Sequence, residues 1–165
     1  MRKPDSIRIS CVVLSLCLIG TGQFNETVTL IQDADRDINN SQSITYLFNY
    51  AMAQWGKSGG APVPLLEKIA DLIDLANYDY DANFAQCVAL VYAALGRRSD
   101  AMHSLTMARH LLNPGPVFSC WRYRRVDRAQ MSQDLNELGT FIVSDRPLPR
   151  FLREVRDEQV DLPLQ

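Results

Sequence analysis

The chain has 165 residues, 47% of them hydrophobic and 22% charged, with a formal net charge of −2. That length suits one domain with a core, burying roughly 70% of the surface an unfolded chain exposes. The composition excludes wholesale disorder, and the acidic balance argues against a dedicated nucleic-acid binder.

Residues 1–22, MRKPDSIRISCVVLSLCLIGTG, admit two readings. A basic start, an apolar run from Ile9 to Ile19 and then small residues have the form of a cleaved secretory signal. The run is too short for a membrane span, and Leu16 before Cys17 does not fit a lipoprotein site. The competing reading is a helix over 6–21 that packs into the domain. It rests on register: Gly22 stands 34 residues before Gly56, and QFNETVTLIQDA after Gly22 matches in pattern RRSDAMHSLTMA after Gly96. The helix is the preferred reading and implies a cytoplasmic protein; the signal implies an exported one.

Further helices are expected over 25–38, 41–55, 64–76, 81–95 and 99–112. Gly22, Gly56 and Gly96 mark the turn within each successive pair. The second gap is 40 residues rather than 34, and the turn-rich stretch SGGAPVP, 58–64, accounts for the surplus. Asn39, Asn40 and Ser41 break the chain between the first two pairs. Asp79 or Asp81 is positioned to cap the helix over 81–95, and Pro64 suits a first helical turn. Asn113, Pro114, Gly115 and Pro116 end the third pair. FSCWRYRRVDR, dense in aromatics and arginine, follows without a helical period. Met131, Leu135, Leu138 and Ile142 then recur at helical spacing, giving an amphipathic helix over 127–142 that can cap the stack.

The expected fold class is therefore all-α: a solenoid of three helical hairpins with a C-terminal capping helix, over residues 1–143. Residues 144–165, with Pro147, Pro149 and Pro163, are expected to form a tail, with at most a short docked helix at Phe151, Leu152 and Val155. A hairpin such as ANFAQCVALVYAALGRRSDAMHSLTMARHLLNP, 82–114, cannot bury its own apolar face and must stack on its neighbours.

That third hairpin resembles the tetratricopeptide repeat. Ala85, Val88, Ala89, Tyr92, Ala101, Leu105 and Ala108 stand at the family's alternating large and small positions. The first pair offers Cys11, Leu14, Ser15, Leu18, Thr27, Ile31 and Ala34 there, and the second only Thr45, Phe48, Asn49 and Met52. The resemblance covers about residues 8–114. It implies a concave groove lined by Tyr46, Tyr50 and Gln54 from the second pair and Asn83, Gln86 and Leu90 from the third, continued by Val12, Leu16 and Ile19. The groove would carry no lysine or arginine, so a clamp for a peptide carboxylate is not expected; a protein or peptide with apolar anchors is. Tyr46 and Tyr50 have a plainer alternative as tyrosines packed between helices. The function so implied is a non-catalytic interaction scaffold. The alternatives are a regulatory or sensor fragment of a larger protein and an exported interaction protein. An apolar first helix with no preceding repeat also makes homo-oligomerisation through it an expectation.

Other motifs fall short of chemistry. Asp33, Asp35 and Asp37 alternate like a calcium loop, but Ile38 and Ile44 stand where glycine and glutamate are needed. Gly56, Lys57 and Ser58 lack the earlier glycine of a phosphate loop. His103 and His110 lie two helical turns apart, about 10 Å, too far for one metal. No metal, cofactor or catalytic residue is expected. Residues 97–165 hold eleven of the 17 basic residues, all arginine. Arg122, Arg124 and Arg125 there form the one candidate anion contact; the preferred alternative is a solvated face that pairs with Asp127, Asp134 and Glu137. Cys11, Cys17 and Cys87, on apolar helix stretches, read as reduced core residues of a cytosolic protein.

Overall fold

The computed structural model describes residues 5–38, 41–75 and 81–144, the first five through their backbone alone. The expected break at Asn39 and Asn40, the cap at Asp79 and the tail beyond Ser144 lie outside the described residues. Seven helices are described: α1 Asp5–Gly20, α2 Phe24–Ala34, α3 Ile44–Ser58, α4 Val63–Leu75, α5 Ala82–Ala94, α6 Arg98–His110 and α7 Arg128–Val143. Two short strands, β1 Val117–Ser119 and β2 Arg124–Val126, form an antiparallel ribbon in which Phe118 pairs with Arg125. The fold is all-α in class. None of the described helices is long and apolar enough to cross a membrane.

The turns explain the helix pairs. Gly22 and Gly96 have φ of 76° and 73°, a left-handed conformation that glycine adopts without steric cost. The two turns close alike. Gly22 N–H bonds Ile19 O at 3.0 Å and Gln23 N–H bonds Leu18 O at 2.8 Å; Gly96 N–H bonds Ala93 O at 3.0 Å and Arg97 N–H bonds Tyr92 O at 2.9 Å. Both are Schellman caps that satisfy the last helical carbonyls and turn the chain back.

The second turn corrects the sequence reading. Gly56 does not end a helix: α3 runs through it to Ser58, and the left-handed glycine is Gly59, φ 77°. The turn glycines therefore stand at 22, 59 and 96, 37 residues apart each time. Gly56 serves packing instead, since a Cβ there would lie 2.5 Å from the ring of Phe24 on α2. Elsewhere the boundaries differ by a few residues: α2 stops at Ala34, short of the expected 38. Asp81 caps α5, its carboxylate accepting Phe84 N–H, and Asp127 caps α7 through Gln130 N–H.

The core runs along the pairs. In α5 and α6, Ala85, Val88, Ala89, Tyr92, Ala101, Leu105 and Ala108 are all buried. The alanines let the two helices approach closely, and Tyr92 and Leu105 fill the groove between. Successive helices from α1 to α6 pack on their neighbours, and α7 lies against α5 and α6. The first helix of each pair, however, does not meet the next evenly. α1 packs on α3, whereas α3 and α5 scarcely touch. On α1, Cys17 is exposed rather than part of the core, as are Val13 and Leu14.

Candidate functional site

The ribbon, which the sequence left without an assigned element, packs against α5, α7 and α1. Its hold on α5 is through side-chain amides. Asn83 Oδ1 accepts Phe118 N–H at 3.2 Å, Gln86 Nε2 donates to Phe118 O, and Gln86 Oε1 accepts Cys120 N–H at 2.9 Å. One turn apart on the helix, Asn83 and Gln86 serve the outer edge of β1 as a third strand would. Phe118 also stacks edge-on against Tyr123, ring centroids 5.3 Å apart.

Tyr123 carries the second hold. Its hydroxyl donates to Asn49 Oδ1 on α3, and Asn49 Nδ2 donates to Ser15 Oγ on α1 at 3.1 Å. Ser15 in turn donates to Val12 O at 2.7 Å. Tyr123 sits at φ 55°, strained for a residue with a side chain. Its ring stacking and its bond to Asn49 compensate. Burial pushes both the Tyr123 phenol and the Cys120 thiol well above their ordinary values. Gly20 lets α1 approach, because a Cβ there would stand 3.0 Å from Tyr123 O.

The other side of the ribbon is fixed to α7 by a buried carboxylate. Asp134 accepts from Ser119 Oγ at 2.8 Å, Arg122 Nε at 2.6 Å and Gln130 Nε2 at 3.0 Å. Trp121 Nε1 donates to Glu137 at 3.0 Å.

Beside the ribbon an open cavity of about 390 Å³ remains where α3 and α5 diverge. Ile44, Phe48, Ile73, Phe84, Val88 and Phe118 make its walls apolar; Thr45, Asp81, Asn83 and Cys87 supply the polar atoms. Its size falls within the range of ligand sites, about 300–1,000 Å³.

The residues expected to line a groove are thus distributed differently. Gln86 and Leu90 are buried, at 1% and 0% exposure, so neither offers an open surface; Gln86 is occupied by the ribbon and Leu90 by the core. Asn83 does reach the cavity, with its carbonyl engaged by Phe118. Tyr46 and Tyr50 are buried. Tyr50 faces α2, where its hydroxyl accepts from Gln32 Nε2 at 2.9 Å. Tyr50 and Gln54 meet Pro64 and Lys68 around a separate shallow depression. Arg122 is corrected as an anion contact: only 8% of its side chain is exposed and its guanidinium is paired with Asp134 and, at 4.0 Å, Glu137. Arg124 and Arg125 are exposed, and Arg125 donates to Pro116 O at 3.4 Å.

The residues that sequence reasoning passed over are Thr45, Phe48 and Asn49 on α3, Phe84 and Cys87 on α5, and Phe118. Of these, the 37-residue spacing of the left-handed glycines finds Asn49 alone. It aligns Asn49 with Gln86 and Tyr46 with Asn83, whereas spacing from Gly56 aligned Tyr46 with Gln86. No family model, curated protein or solved structure matches the chain.

Proposed function

We propose that the protein is a non-catalytic interaction module, resembling a tetratricopeptide array, which takes a bulky apolar side chain of a partner peptide into the cavity between α3 and α5. The observation that supports this most directly is the cavity itself, apolar and open, beside a strand whose backbone is held by side chains of α5. The face already grips one extended segment through Asn83 and Gln86, and an anchor seated next to it would bury apolar surface worth about 1.5–3 kcal/mol. Asp81, the charged residue in the cavity wall, argues against an anionic anchor, and the apolar walls favour an uncharged one.

Thr45 is exposed at the cavity and away from the core. Selection from a displayed random-peptide library on the wild-type protein should enrich a bulky apolar position, and Thr45→Trp should abolish binding of the selected peptides. Absence of enrichment, or equal binding to both proteins, would overturn the reading.

The same proposal places the module in the cytoplasm, in keeping with its unpaired thiols, or outside the cell if residues 1–22 are removed. Self-association through α1 belongs to it as well: Val13 and Leu14 are 55% and 48% exposed on that helix. Sedimentation as a monomer at high concentration would remove that element.

A further inference from the structure

The cavity between α3 and α5 is graded in polarity. Ile69, Ile73, Val88 and Val91 in its lining are at most 3% exposed. Phe48, Phe84 and Phe118 bring a ring each from α3, α5 and β1. The three exposed residues of the lining, Thr45, Asp81 and Asn83, are all polar. Each of them keeps an uncommitted polar group. Asp81 Oδ1 accepts Phe84 N–H at 2.7 Å and Asn83 Oδ1 accepts Phe118 N–H at 3.2 Å. Among the described residues, the second Asp81 oxygen, the Asn83 amide nitrogen and the Thr45 hydroxyl take no hydrogen bond.

We propose that the anchor taken by this cavity is an aromatic ring carrying its own N–H or O–H, a tryptophan or tyrosine side chain of the partner, with that group donating to the second oxygen of Asp81. The inference rests on the reading of the cavity as an anchor site and names its specificity. Tryptophan and tyrosine match a site that is apolar in its buried part and wet at its mouth, because their rings are apolar and their tips polar. Phenylalanine walls offer such a ring edge-on and offset contacts that an aliphatic side chain lacks. Seating any ring displaces water from the Asp81 oxygen. A ring with a donor replaces that water, whereas phenylalanine or leucine does not. A lysine or arginine tip would also reach a carboxylate, but Asp81 is the N-cap of α5. A cation there meets the positive end of the helix dipole, and a neutral donor avoids that opposition.

The test titrates indole, and benzothiophene with the same fused shape and no N–H, into the full-length protein. Amide NMR shifts at residues 81–88 locate and quantify binding. Indole should bind more tightly by about threefold to tenfold, the yield of one net hydrogen bond. Asp81→Ser, whose hydroxyl can still cap α5, should remove that preference; the wild-type comparison stands by itself should the variant not fold. Peptides selected on the protein should carry tryptophan or tyrosine at the anchor. Equal affinity for indole and benzothiophene, or selection of leucine, phenylalanine, lysine or arginine at the anchor, would overturn the inference. Equal affinity would leave the cavity itself standing as an apolar anchor site. Failure of both compounds to shift these residues would overturn the two readings together.

Discussion

Asn49 and Gln86 stand at the same place in successive helix pairs, each ten residues before the left-handed glycine that follows its helix, and both give their buried side-chain amides to the one β-ribbon. The ribbon is therefore the element that ties α3 to α5, which scarcely touch each other directly. Gln86→Leu keeps the size and leaves Cys120 N–H and Phe118 O without partners. An unmet buried polar group costs about 1–3 kcal/mol, so the urea midpoint should fall accordingly with an unchanged m-value. Asn49→Leu should cost a similar amount by stranding the Tyr123 hydroxyl. Because both act on the ribbon, the double variant should fall short of the sum, which a double-mutant cycle measures directly. Strict additivity would mean that the two amides act independently.

Asp134 is 1% exposed and accepts hydrogen bonds from Arg122, Ser119 and Gln130. Asp134→Ala leaves a nearly buried guanidinium with only a distant partner in Glu137. The loss should approach the range for breaking a buried pair, about 3–5 kcal/mol. Buried pairs are weakly screened, so raising the salt concentration should alter the difference little. Equilibrium denaturation of both proteins at low and high salt provides the comparison.

Gly56 and Gly60 make a controlled pair. A Cβ at Gly56 would meet the Phe24 ring at 2.5 Å, whereas one at Gly60 meets nothing within 4 Å. Gly56→Ala should lower stability by about 1–3 kcal/mol through overpacking, and Phe24→Leu in the same chain should recover part of it. Gly60→Ala should be neutral or slightly stabilising. Thermal melts of the four proteins decide; equal melting of Gly56→Ala and wild type would refute the close packing of α2 on α3.

The helices were legible because their apolar residues recur at helical spacing and their ends carry strong signals, such as Asp81, Asp127 and the proline cluster after Asn113. The register of the second pair was not. Gly56 and Gly59 both follow an apolar run, one glycine needed for its missing side chain and the other for its backbone angle, and local sequence does not separate these reasons. Choosing the wrong one moved the alignment by three residues, which set Tyr46 opposite Gln86 where Asn49 belongs. The ribbon was illegible for another reason. Its strands have three residues each, too short for a period, and what holds them are Asn83, Gln86 and Asp134, side chains brought in from α5 and α7. Arg122, by contrast, pairs with Asp134 and Glu137 as the plainer sequence alternative had it, but buried rather than on the solvated face that alternative expected.

At the surface, Asp74 on α4 accepts from the Tyr92 hydroxyl at 2.6 Å and pairs with Arg97 at 3.0 Å, joining the second helix pair to the third. The Tyr92 hydroxyl, followed by the Arg97 guanidinium, holds the Asp74 carboxyl below its ordinary value of 3.8. A carboxyl depressed in the folded state favours folding above the unfolded value and loses that contribution as pH falls through the folded one. Wild type should therefore exceed Asp74→Asn in stability by a constant margin near neutral pH. The margin should shrink only once pH drops below about 3.8. Both partners are substantially solvated, with 46% of the Asp74 side chain and 38% of Arg97 exposed, so screening limits the margin to less than about 1 kcal/mol. Urea midpoints of the two proteins across this pH range measure it, and a margin that grows on acidification would mean that the surroundings of Asp74 favour its protonated form instead.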